Sequence, residues 1–167
     1  MVIHFQPTLP EALDEIEFAG EQNSFPIHPH QIKRSEETII QYGNVKWAIV
    51  DLLNERYSAI LNMEFNLHHW LHYNEHDEVA YFLNEAGSNA LHYSEFKVPS
   101  HFHLWMGRKG FVMGIEQQGK GFDAKKIDKE KIKEGEGAAF EFFRKCKGTV
   151  FFDEPQMARV VYLEVRV

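Results

Sequence analysis

A chain of 167 residues fits one folded domain with a sizeable hydrophobic core, and fourteen phenylalanines supply much of what that core can bury. A formal net charge of -7 argues against a nucleic-acid partner, and a single cysteine, Cys146, excludes an intramolecular disulfide framework. No charged-then-apolar leader opens the chain and no run approaches the ~20 apolar residues that cross a bilayer, so the expectation is a cytoplasmic protein without a membrane partner.

In chain order, Val2 to Phe5 reads as a short strand. Thr8-Leu9-Pro10-Glu11 has the form of a capping box with proline in the first turn, and predicts a short helix through Ala12, Leu13, Ile16 and Ala19. Asn23 to His30, with Pro26 and Pro29, reads as an extended connector. Apolar residues at Val45, Ala48, Ile49, Leu52, Leu53 and Tyr57 predict a helix from Asn44 to about Met63. A further helical stretch runs from about Leu67 to Tyr93, with a break near Asn74 to Asp77.

Beyond it the period changes to that of strands, at His101 to Met106 and Phe111 to Glu116, joined by a turn at Gly107 to Gly110. Lys125 to Glu134 reads as a charged loop, and Ala138 to Lys145 as a short helix opened by the Gly135/Gly137 turn. Thr149 to Phe152 and Arg159 to Val167 form a closing hairpin. Helices gather early and strands late, which predicts an α+β fold, a two-layer sandwich with helices on one face of a mixed, mostly antiparallel sheet.

On the helix that ends near Tyr93, Val79, Phe82, Leu83, Ala86, Ala90 and Tyr93 form an apolar stripe. Glu85, Asn89 and His92 form a polar row on its flank, where a carboxylate can take a proton and an amide oxygen can serve Mg²⁺. Gly87, costly in mid-helix by about 1 kcal/mol against alanine, implies that something approaches that turn closely. Two glycine pairs follow, Gly119/Gly121 and Gly135/Gly137.

These segments fall in the order of the motifs of the ATPase domain shared by gyrase B, heat-shock chaperones, histidine kinases and MutL. The stretch from about Val79 to Val167 resembles that domain. Glu85, Asn89 and Ala90 match its Glu-x-x-x-Asn-Ala helix, Gly119 and Gly121 its Asp-x-Gly-x-Gly turn, and Gly135 and Gly137 its third motif. The compact size is most similar to the anti-sigma-factor serine kinases. The resemblance implies Glu85 as the catalytic base, Asn89 as the Mg²⁺ ligand, and His92, Gln117, Gly119, Gly121, Gly135, Gly137 and Ala138 as the ATP-contacting set. The segment from Asp123 to Glu134 would be the lid. The implied activity is transfer of the γ-phosphoryl group of ATP to a serine or threonine of a regulatory protein, of the sigma-factor or anti-anti-sigma type. Glutamate at position 85 suits a hydroxyl acceptor, which needs a base, better than an imidazole acceptor.

The chain departs from the family at Gln117, where an aspartate usually meets adenine, and at Glu136 and Ala139 in the third motif. These changes point to an alternative, a non-catalytic interaction module with weakened or lost nucleotide binding. A second alternative is a histidine-rich metal-binding protein, since His68, His72 and His76 recur every four residues. His101, His103 and Trp105 share one side of a strand and read as an exposed sheet face. Residues 1–75 match nothing in the family, and their length alone suggests a partner-binding or dimerisation element.

Overall fold

The computed structural model describes residues 5, 7–28, 35–71, 77–93, 99–134 and 147–167. Its fold is α+β. In chain order come α1 (Leu9–Glu15), β1 (Phe18–Pro26), α2 (Ser35–Leu61), a 3-10 helix (Leu67–Leu71), α3 (Glu78–Tyr93), β2 (Pro99–Gly107), β3 (Gly110–Gln117), α4 (Ala124–Glu134), β4 (Thr149–Phe151), a second 3-10 turn (Pro155–Met157) and β5 (Val160–Arg166). The five strands form one sheet in the order β1-β2-β3-β5-β4, and every described pairing is antiparallel.

Local sequence explains most boundaries. Thr8 and Glu11 form the expected capping box, with proline in the first turn of α1. That helix stops at Glu15, short of Ala19, because Glu17 turns the chain with a φ of 53° and β1 begins at Phe18. Of the segment read as an extended connector, residues 23–26 are the second half of β1, an edge strand where proline is tolerated, and residues 29–30 lie outside the described residues. The predicted strand over Val2 to Phe5 and the helix over 138–145 lie outside the described residues.

Strand alternation sorts the sheet into two faces. Phe102, Leu104, Met106, Phe111, Met113, Ile115, Val150, Phe152 and Leu163 point to one face and form a single buried core with α2 and α3. From α2 this core takes Tyr42, Val45, Ile49, Val50, Leu53 and Tyr57, so the first half of the chain is integral to it. From α3 come Val79, Phe82, Leu83, Ala86 and Ala90, five of the six residues of the predicted stripe. Full burial of each large apolar side chain contributes about 1.5–3 kcal/mol. The other face carries Trp105, Val112, Phe151 and Tyr162, and α1 packs on it through Ala12 and Ile16. The sheet therefore has a helix on each side, with α1 too short to cover the second face.

Candidate functional site

Two acidic residues anchor the start of α3, and the second sets its direction along the sheet. Asp77, buried just before the helix, accepts hydrogen bonds from Ala80 N (3.0 Å) and Asn66 N (2.8 Å), and its Oδ2 lies 3.0 Å from His69 Nδ1. The Glu78 carboxylate accepts the backbone amides of Lys147 and Gly148. The next residue, Thr149, pairs with Glu164, which pairs with Val112 near the start of β3. The start of α3 thus lies toward the β2–β3 turn and its end toward Gln117. The register agrees, because Pro99, six residues after Tyr93, pairs with Gln117.

The second half of α3, with Asn89, therefore runs toward the end of the sheet that bears the Gly119–Gly121 turn. There α3 packs against Tyr42, which meets Phe102 of β2, and Gly121 packs against Met157 and Ala158. Glu85 and Asn89 are half-buried, on the flank of the apolar stripe where the polar row was expected. His92 belongs to α3, but its side chain is outside the described residues. Gly135, Gly137 and Ala138 are also outside them, together with Glu136 and Ala139, so the third motif has no described geometry.

Gln117 closes β3, its backbone N–H donating to Arg159 O at 2.8 Å. Alternation turns its side chain toward the α2/α3 face and Glu116 to the opposite face. Gly119 and Gly121 have φ values of +112° and +83°, a region that favours glycine. At Gly121 a Cβ would stand 2.8 Å from Ala158 O and 2.9 Å from Met157 O. The flanking Phe122 and Ala158 exchange two backbone hydrogen bonds of 3.1 and 2.7 Å. Chain packing alone therefore accounts for glycine at 121.

The segment expected as a charged lid loop is a helix, α4. Asp123 caps it, Oδ1 accepting from Lys126 N at 3.0 Å, and a run of alanine, lysine and glutamate continues it. The close approach implied by Gly87 comes from α2, whose Tyr42 ring lies against that turn. Tyr42 donates to Leu83 O at 3.1 Å, and burial pushes its hydroxyl up to about 12. One turn along α2, Lys46 donates to Asn84 Oδ1 at 2.7 Å over the Tyr42 ring, and burial pushes its ammonium down to about 8. The polar α2–α3 contact was not foreseen; the sequence signal for it is Lys46 sitting one position from the buried Val45.

Of the histidines recurring at 68, 72 and 76, only the first has described geometry. His68 lies in the 3-10 helix, its ring 5.5 Å from that of Trp47, while His72 and His76 are outside the described residues. The strand histidines are more organised than an exposed face requires. His103 Nε2 is 3.1 Å and His101 Nδ1 3.5 Å from the same Glu116 Oε2, and His103 Nδ1 is 2.8 Å from Ser24 Oγ. His101, His103 and Trp105 form a stacked ladder with centroid spacings of 5.5 and 5.4 Å. The turn between the strands could have revealed Glu116: pairing Met106 with Phe111 sets His101 opposite Glu116.

Compared with protein-family models, curated proteins and solved structures, the chain matches none.

Proposed function

We propose that this chain is an ATP-binding regulatory protein, with a nucleotide cleft between the polar row of α3 and the turn after β3. One observation supports the reading: the Glu78 anchor at Gly148 runs α3, and with it Asn89, toward the sheet end that bears Gln117, Gly119 and Gly121. In this reading Asn89 offers its amide oxygen to Mg²⁺, and Gln117 offers an amide acceptor and donor to adenine. The glycine turn lets backbone come near the nucleotide, and Glu85 accepts the proton of a serine or threonine hydroxyl on a partner protein. The cofactor supplies the transferable phosphoryl group.

Calorimetric titration of tag-free protein with Mg-ATP tests the proposal. Saturable binding that weakens at least about tenfold in Asn89→Ala supports it; no binding at millimolar nucleotide removes it.

A second reading, an interaction module without nucleotide, is favoured by two features. Gln117 stands where the family has aspartate, and packing against Ala158 is sufficient reason for Gly121. Gln117→Asp separates the two readings. A gain of ATP affinity absent from wild type indicates a decayed pocket, and a loss of existing affinity indicates a glutamine adapted to its ligand.

A further inference from the structure

Independently of the nucleotide reading, we propose that His101, His103 and Glu116 bind one divalent transition-metal ion of the zinc class, on the sheet face opposite α2 and α3. Two adjacent antiparallel strands supply the donors, so their spacing is set by the ladder: His101 pairs directly with Glu116, and His103 with Gly114. The three donor atoms lie within 4.8 Å of one another, with both imidazole nitrogens converging on Glu116 Oε2 at 3.1 and 3.5 Å. Metal–ligand bonds of about 2.0–2.2 Å at tetrahedral angles place neighbouring donors about 3.3–3.6 Å apart, so small side-chain rotations suffice to close the site.

Two further observations point to a ligand. His101 Nδ1 is shielded from solvent and makes no hydrogen bond, although it is aimed into the cluster. Ser24 on the neighbouring edge strand meets His103 Nδ1 at 2.8 Å, the outer-shell contact that holds the ring and leaves Nε2 to donate to a metal. Two imidazoles and one carboxylate select a borderline metal such as Zn²⁺ or Co²⁺ over Mg²⁺ or Ca²⁺, which take oxygen donors. Three protein ligands leave a position for water.

The test uses full-length, tag-free protein, stripped with chelator and kept free of nucleotide, titrated with Co²⁺ and then Zn²⁺. The expected result is one equivalent of Co²⁺ per chain with a visible d–d absorption band that Zn²⁺ abolishes. His101→Asn, His103→Ala and Glu116→Gln should each weaken binding at least about tenfold, and Ser24→Ala about 10–100-fold by loosening the His103 ring. His68→Ala should leave it unchanged. Absence of a stoichiometric band, or a band that survives His101→Asn/His103→Ala, overturns the proposal. If that double variant does not fold, histidine-modification footprinting of wild type decides: Zn²⁺ should protect His101 and His103, and equal labelling with and without Zn²⁺ overturns the site. Because no nucleotide is present, failure here leaves the ATP reading untouched.

Discussion

Gly87 of α3 meets the ring of Tyr42 on α2 with no room for a side chain: a Cβ there would lie 2.9 Å from Cε2, 3.0 Å from Cζ and closer still to the hydroxyl oxygen. The hydroxyl is buried and bonded to Leu83 O, so it has little freedom to retreat. Alanine would gain about 1 kcal/mol in helix propensity, yet overpacking of this kind costs about 1–3 kcal/mol. Gly87→Ala is therefore expected to lower stability in urea unfolding despite the better helix former. Adding Tyr42→Phe should restore part of the loss, because the closest atom is gone. A Gly87→Ala protein as stable as wild type would contradict this packing.

Tyr57 reaches from α2 to the β2–β3 turn, its hydroxyl 2.7 Å from Gly107 O and 2.8 Å from Gly110 O. One proton serves two buried carbonyls, so removing it leaves both without that donor. Tyr57→Phe should destabilise the protein by about 1–2 kcal/mol while keeping the ring against Phe111. Equilibrium unfolding measures the change, and amide exchange at the turn should rise with it.

At Gly121 a methyl group meets both a left-handed φ and the carbonyls of Met157 and Ala158. Gly121→Ala should cost about 1–3 kcal/mol and disturb the Phe122–Ala158 bridge, seen as lost amide protection at both residues. Retained protection and stability would show that the turn has slack.

Lys46 gives a pH signature. Burial lowers its folded pKa to about 8 from an ordinary 10.5. Between those values the unfolded chain holds a proton that the folded chain has released, so this group makes stability rise with pH across that window. Below about 8 both states are charged and the burial penalty is present in full. The stability of Lys46→Met minus that of wild type should therefore fall as pH climbs from 8 toward 10.5. A difference independent of pH would mean that the ammonium is well solvated in the fold.

Much of this was legible where a local rule acts alone. The capping box of α1, the apolar stripe of α3 and the β2–β3 hairpin follow from short-range spacing. α4 was misread because only Ile127 and Ile132 interrupt its charges; the informative signal was Asp123 ahead of strong helix formers. The second half of β1 was read as a connector because Pro26 closes it, Pro29 follows and its polar residues carry no apolar alternation, as suits an edge strand whose residues are largely exposed. Gly87 was singled out as a position of close approach, but a sequence cannot say whose atoms approach; here they are those of Tyr42, and at Gly121, expected as a nucleotide contact, the neighbours are Met157 and Ala158. Glu116 was invisible as a partner of His101 until the hairpin register joined them.

The central claim is that ATP would lie between α3 and the turn after β3, and amide chemical-shift mapping during a Mg-ATP titration tests it most directly. The account predicts saturable shifts at Glu85, Asn89, Gln117, Gly119 and Gly121, with His103 and Val112 on the far face unmoved. Shifts confined to the far face, or none at millimolar Mg-ATP, would contradict it.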